Sequence, residues 1–105
     1  MVSDGPVDAL NQTERTQPAM LAAGIAVWRS WQSVTDITPS FLAGHSLGEY
    51  TALVAAGAMQ FADAIKLVEQ RGLFMQQAVP VGSGAMAAVL GLGDDIVRDI
   101  CSQAS

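Results

Sequence analysis

Charge, cysteine, histidine and long apolar runs are all scarce in this chain of 105 residues. Its five Lys and Arg residues are scattered and the net charge is −5, so no basic stripe exists and nucleic acid is not an expected partner. The single cysteine, Cys101, cannot form an internal disulfide, and the polar residues 1–6 do not resemble a signal peptide. We therefore expect a reducing, cytoplasmic setting.

Two further absences narrow the possible functions. The longest apolar run, residues 19–28, is interrupted by Gly24 and is shorter than the about 20 residues needed to cross a bilayer, so no membrane association is expected. No group of His, Cys and Asp residues has the spacing of metal ligands, so we expect no metal site.

Hydrophobic residues, by contrast, make up half of the chain, which is enough for a packed core. The predicted elements alternate between helix and strand, which favours an α/β class. They are helices over about 16–34, 47–57, 61–79 and 94–103, and strands over 40–45 and 85–90. We expect Thr16 to cap the first helix, with Pro18 near its first position, and Gly57 and Pro80 to end the second and third. Because a parallel sheet needs several strands and only two are predicted, we expect a piece of a longer protein.

Residues 44–48 (Gly-His-Ser-Leu-Gly) are the most informative stretch. A predicted strand leads into them and a predicted helix follows, which is the context of a G-x-S-x-G nucleophile elbow. The glycines are expected to stand where no Cβ fits. Ser46 is then a nucleophile, and the Leu47 amide is placed to stabilise an oxyanion. The alternative is that Ser46 only caps the helix, because Ser46 and Glu49 also fit a capping box.

The proton of a serine nucleophile needs a base, and His45 is the only histidine. Neighbouring residues at the end of a strand point to opposite faces, so His45 is not expected to reach Ser46. We expect it to be packed or hydrogen-bonded beneath the elbow. The base is therefore missing from this chain.

Arg71 is the second informative residue, because it falls inside the apolar arc of the predicted helix 61–79. A buried guanidinium needs an anionic partner. That partner is either a structural carboxylate, such as Glu49 or one in a segment missing from this chain, or a carboxylate on a substrate, which Arg can hold through two parallel hydrogen bonds. Gln17 either belongs to the start of the first helix or faces the elbow.

Several segments of the chain match one enzyme family. They are residues 44–50 (Gly-His-Ser-Leu-Gly-Glu-Tyr), 69–72 (Glu-Gln-Arg-Gly), 75–76 (Met-Gln), 10–13 (Leu-Asn-Gln-Thr), 16–19 (Thr-Gln-Pro-Ala) and 84–88 (Gly-Ala-Met-Ala-Ala). Together they resemble the malonyl-CoA:acyl carrier protein transacylases of bacterial fatty acid synthesis.

This resemblance implies a ping-pong reaction and a set of site residues. A malonyl group would pass from malonyl-CoA to Ser46 as an ester, and then to the phosphopantetheine thiol of acyl carrier protein, with no bound cofactor. The Leu47 amide would supply half of the oxyanion hole, and Arg71 would bind the malonyl carboxylate. Met75 and Gln17 would also contact the substrate.

The resemblance also implies the fold. Residues 1–81 would be part of an α/β-hydrolase-like acyltransferase subdomain that carries the nucleophile elbow. Residues 82–105 would begin a ferredoxin-like insert, with its first strand and helix.

The chain lacks three features of that family. They are the N-terminal strand with its Gly-Gln-Gly-Ser-Gln segment, the catalytic histidine, and the Gln or Asn that orients this histidine. We therefore expect a central fragment that is inactive by itself. Two other enzymes stay open as alternatives, an acyltransferase domain of a polyketide synthase and a serine esterase of the α/β-hydrolase type. A non-catalytic module, in which Ser46 only caps its helix, is the third.

Overall fold

The computed structural model describes residues 13–80 and 82–105, and all of their regular structure is helical. Residues 1–12, which hold most of the Leu-Asn-Gln-Thr motif, and residue 81, at the predicted subdomain boundary, lie outside the described residues. The four helices are α1 (Thr13–Val34), α2 (Leu47–Ala55), α3 (Phe61–Ala78) and α4 (Asp94–Ala104). None of these helices is long and apolar enough to span a membrane.

Helix α1 begins earlier than predicted. Thr16 was expected to cap it and Pro18 to stand near its first position, but α1 already includes Thr13, and Pro18 lies inside the helix. Pro18 is the sixth residue of the helix, so its missing N–H removes one intrahelical bond, the one to the Glu14 carbonyl. Leu21 and Ile25, four residues apart, are buried, so the helix packs through one face.

Helices α1, α2 and α3 pack against one another, while α4 contacts none of them. Their shared core consists of Leu21, Ile25, Leu47, Ala64 and Val68. This core is small, and the Cα radius of gyration is 16.8 Å, against about 13 Å for a compact domain of this length. The described residues therefore form an open arrangement with much apolar surface exposed.

Helix α2 ends at Ala55, two residues before Gly57, the residue at which the sequence predicts its end. Gly57 has φ 77°, which is left-handed backbone that glycine adopts without strain. Its amide donates to the Val54 carbonyl, and the Ala58 amide donates to the Leu53 carbonyl. These two bonds form a Schellman motif, which satisfies carbonyls at the helix end. Because the chain turns here, α3 can return across α1.

Neither predicted strand is present among the described residues. Residues 41–44 and 84–90 form no strand. A strand needs a neighbouring strand for its backbone hydrogen bonds, and the described residues provide none. Their apolar side chains are left unburied: Phe41 is 92% exposed and Met86 is 90% exposed. The prediction of two strands is therefore wrong for the part of the chain that the structure describes.

Candidate active site

A sharp turn brings Ser46 to the N-terminus of α2. Ser46 has φ 57° and ψ −120°, and it is the one residue other than glycine with positive φ in the described part of the chain. Two backbone bonds close the turn, from the Gly48 amide to the His45 carbonyl at 3.0 Å and from the Glu49 amide to the Ser46 carbonyl at 3.2 Å. Strained backbone of this kind clusters at functional sites, and the turn has the form of a nucleophile elbow.

The two glycines of the motif have different surroundings. A Cβ on Gly44 would lie 2.0 Å from the carbonyl carbon and oxygen of Gly48, so only glycine fits there. A Cβ on Gly48 would meet nothing within 4 Å. The prediction that a Cβ is excluded is therefore confirmed for Gly44 and wrong for Gly48, because the sequence pattern does not show which side of the turn is crowded.

The capping interpretation of Ser46 is wrong. The Ser46 side chain makes no capping hydrogen bond to α2. Its Oγ accepts a hydrogen bond from Arg71 Nη2 at 3.0 Å instead. The positive φ of Ser46 explains the difference, since a capping side chain normally projects from extended backbone. The hydroxyl is exposed and available to a second molecule.

The Leu47 amide is the first of α2. Within residues 13–80 and 82–105 it has no hydrogen-bond acceptor, since the turn bonds use the amides of Gly48 and Glu49. The Leu47 side chain is buried in the core, which fixes this end of the helix. A free N–H at a helix N-terminus can donate a hydrogen bond to a negatively charged atom and so stabilise its charge.

Arg71 reaches the elbow from the middle of α3, and it is half-buried. Nη1 donates to Gln17 Oε1 at 2.5 Å, and Nη2 donates to Ser46 Oγ. Cζ lies 5.8 Å from the centroid of the Tyr50 ring, a cation–π contact. Neither Glu49 nor any other carboxylate in the described residues forms an ion pair with Arg71. The structural-carboxylate alternative is therefore wrong for this part of the chain.

Gln17 and Met75 complete the arrangement. Gln17 is the one buried polar side chain among the described residues, and its Nε2 donates to Met75 Sδ at 3.1 Å. Gln17 faces the elbow, as one of its two interpretations required. The bond between Gln17 and Met75 was not predicted from the sequence, nor was the contact between Arg71 and Tyr50. Gln17 and Arg71 are 54 residues apart, so no local pattern could indicate their pairing.

His45 does not supply a base in this structure. It is exposed, and its ring makes no hydrogen bond to Ser46 or to any other described residue. The expectation that it is packed beneath the elbow is wrong, because nothing in the described chain covers it. No other histidine exists in the sequence.

These side chains line an open cleft of about 440 Å³. Its walls include Gln17, Met20, His45, Ser46, Arg71 and Met75. The cleft thus combines a hydroxyl, the N-terminus of α2 and a guanidinium that pairs with no carboxylate of residues 13–80 and 82–105. In the described residues, no three His, Cys, Asp or Glu side chains lie together as metal ligands would.

Known proteins resemble this chain along nearly its whole length. The family model described as "Acyl transferase domain" matches residues 1–102. The malonyl CoA-acyl carrier protein transacylase of Escherichia coli (strain K12) is 52% identical over 105 residues, which are 100% of this chain and 34% of that protein. The chain spans about a third of the length of the curated relatives it matches.

Two solved structures show the same arrangement. An acyl carrier protein S-malonyltransferase from Vibrio cholerae superposes with a TM-score of 0.83 at 60% identity, over 96% of this chain and 33% of that one. A malonyl-transacylase in complex with a type II polyketide synthase acyl-carrier protein superposes with a TM-score of 0.85 at 52% identity, over 95% and 32%. This chain therefore superposes on about a third of each of those longer chains.

Proposed function

The chain belongs to the acyl transferase domain family, and on that premise we propose that it takes part in transferring a malonyl group from malonyl-CoA to the phosphopantetheine thiol of acyl carrier protein. One observation carries the proposal: Arg71 Nη2 lies 3.0 Å from Ser46 Oγ, and no carboxylate of the described residues pairs with that guanidinium. A hydroxyl beside an unpaired guanidinium suits an acyl group that ends in a carboxylate.

The first half-reaction forms an ester on Ser46. Oγ attacks the thioester carbonyl of malonyl-CoA, the C–S bond breaks, and coenzyme A leaves as its thiol. The hydroxyl proton passes through a base to the leaving sulfur. In the second half-reaction the carrier protein thiol attacks the ester carbonyl, the acyl C–O bond breaks, and the proton of that thiol passes through the base to Ser46 Oγ. Both halves pass through a tetrahedral oxyanion, next to which the free Leu47 amide would stand.

Arg71 has a separate role in this proposal. Malonate is short, so an acyl group attached to Oγ keeps its carboxylate close to the guanidinium. Arg71 then exchanges its bond to Oγ for two parallel hydrogen bonds to the carboxylate, which a neutral acetyl group cannot accept. The preference for malonyl would arise from this exchange. Arg71 cannot act as the base, because a guanidinium only donates hydrogen bonds.

We also propose the division of the chain expected from the sequence. Residues 1–81 would be part of an α/β-hydrolase-like subdomain, and residues 82–105 would begin a ferredoxin-like one. The lack of contact between α4 and helices α1–α3 supports the division. The exposed side chains of Phe41 and Met86 are apolar surface that other parts of a larger subdomain would cover. A cytoplasmic location is part of the same proposal, since Cys101 is a free thiol.

Acyl-enzyme formation tests the proposal. The protein expressed from its full reading frame is incubated with malonyl-CoA and analysed by peptide mass spectrometry. We expect one malonyl group on the peptide that holds Ser46, and its discharge on addition of acyl carrier protein. Ser46→Ala should abolish the label, whereas Ser40→Ala, an exposed serine just before the elbow, should retain it. An unlabelled Ser46, or a label that survives Ser46→Ala, would rule the proposal out.

The polyketide alternative differs only in the carrier protein. One similar structure is a malonyl-transacylase bound to a type II polyketide synthase acyl-carrier protein, so this arrangement also occurs in such systems. Discharge of the labelled enzyme by fatty acid and polyketide carrier proteins, compared at equal concentration, separates the two functions. A serine esterase is disfavoured by Arg71, because an unpaired guanidinium beside the nucleophile does not help to bind a neutral ester.

A further inference from the structure

We propose that Gln17 is a positioning residue, which holds the Arg71 guanidinium over Ser46 while leaving its positive charge free for the acyl carboxylate. The inference rests on the proposed function. It replaces the direct substrate contact expected for Gln17 with an action through Arg71.

The burial and geometry of Gln17 support a positioning role. Its side chain is 6% exposed, on the first turns of α1, and Oε1 accepts from Arg71 Nη1 at 2.5 Å. The other terminal nitrogen of the same guanidinium contacts Ser46 Oγ. With one nitrogen held by α1 and the other aimed at the elbow, the planar guanidinium has a defined orientation. Arg71 itself is half-exposed, so without Gln17 its guanidinium would keep only the bond to Ser46 Oγ and the contact with the Tyr50 ring.

The orientation of the Gln17 amide follows from chemistry. A guanidinium carries only donors, so the amide must turn its oxygen toward Arg71. Its NH₂ group then needs an acceptor on the opposite side, and Met75 Sδ lies there at 3.1 Å. Arg71 and Met75 are four residues apart on α3, so they stand one helical turn apart on one face. Gln17 is therefore held between two side chains of a single helix.

A neutral partner suits this position better than an acidic one. A carboxylate at residue 17 would form an ion pair with Arg71 and cancel its charge, and it would compete with the carboxylate of the acyl group. Gln17 accepts the same hydrogen bond without adding charge. Among the described residues Arg71 has no acidic partner, so the first carboxylate to reach it would be that of the substrate.

Kinetics of charge-changing variants test this inference in the protein expressed from its full reading frame. For Gln17→Glu we expect the KM for malonyl-CoA to rise roughly 10- to 100-fold, the range for losing a hydrogen bond to a charged group. The KM for acetyl-CoA, whose acyl group has no carboxylate, should rise far less. Gln17→Ala should lower the malonyl-to-acetyl ratio of kcat/KM roughly tenfold, because Arg71 loses its orientation. Gln32→Glu, at an exposed position on the same helix, should leave the KM and kcat/KM of both substrates unchanged.

If Gln17 had only a structural role, its variants would lower kcat/KM equally for malonyl-CoA and acetyl-CoA. Equal losses for the two substrates would therefore overturn the inference, and so would unchanged kinetics. Thermal melts identify a variant that does not fold. If the Gln17 variants do not fold, Met75→Leu tests the inference instead, because it removes the acceptor of the Gln17 amide. The variant should fold, since Met75 is 39% exposed and leucine is similar in size. We expect its malonyl preference to fall roughly two- to tenfold, as for one neutral hydrogen bond. An unchanged preference contradicts the inference.

The acyl-enzyme experiment keeps the two proposals apart. A wild-type protein that forms no malonyl ester on Ser46 refutes the proposed function. A wild-type protein that forms the ester, together with variants of Gln17 that keep full malonyl preference, refutes only the role of Gln17.

Discussion

Gly44→Ala should disrupt the elbow, because the added Cβ has no space. It would lie 2.0 Å from the carbonyl carbon and oxygen of Gly48 and 2.5 Å from the Glu49 nitrogen, whereas ordinary contacts are 3.4–4 Å. The obstacle is backbone, so the turn itself must open by an ångström or more. Overpacking of this kind costs roughly 1–3 kcal/mol, and we expect the upper end. A displacement of about 1 Å at a reacting group also lowers the rate roughly 100-fold.

Gly48→Ala is the matched control, four residues away in the same motif. Its Cβ would meet nothing within 4 Å, and Gly48 already has helical backbone with negative φ. Alanine favours a helix over glycine by up to about 1 kcal/mol, so the variant should be as stable as the parent or slightly more. Urea unfolding midpoints and the rate of malonyl labelling measure both changes. Equal damage from the two substitutions would refute the steric explanation, and so would a neutral Gly44→Ala.

Three further predictions concern the site, the core and the isolated chain. Arg71→Ala should lower malonyl transfer roughly 100-fold, through loss of charge-assisted bonds, and acetyl transfer far less; equal losses in a transfer assay would indicate a structural arginine. Leu21→Ala should cost about 2–5 kcal/mol in denaturant unfolding because Leu21 is fully buried, whereas Val27→Ala, 69% exposed, should stay within about 0.5 kcal/mol. The pure 105-residue chain should show no turnover with malonyl-CoA and acyl carrier protein, and measurable transfer would contradict that expectation.

Local patterns predicted the elements of the site well. The alternation of glycine and serine over residues 44–48 indicated the elbow, and Ser46 has the strained backbone expected of one. Gly57 and Pro80 indicated the ends of α2 and α3, to within two residues in each case. These features depend on residues close together in the chain, where steric rules act directly.

Features that depend on distant residues could not be predicted in the same way. Arg71 was recognised as misplaced on an apolar face, but its partner Gln17 is on another helix. The two strands were predicted from short apolar runs next to turn residues, and a strand also needs a neighbour to pair with. Gly44 is crowded and Gly48 is not, because of the direction in which the chain turns. The G-x-S-x-G pattern is symmetrical, so it does not indicate that direction.

In the proposed reaction, binding of the malonyl carboxylate and transfer of the serine proton would use different groups. Arg71 and Gln17 hold a positive charge beside Ser46 Oγ, and both are fixed by bonds between α1 and α3. A base is not among the described residues, since the exposed His45 ring bonds to nothing there. Arg71 donates to Oγ, so it leaves the hydroxyl proton free to point toward the open side of the cleft. A base must therefore approach Ser46 from that side, opposite the guanidinium, and the described helices leave that direction uncovered.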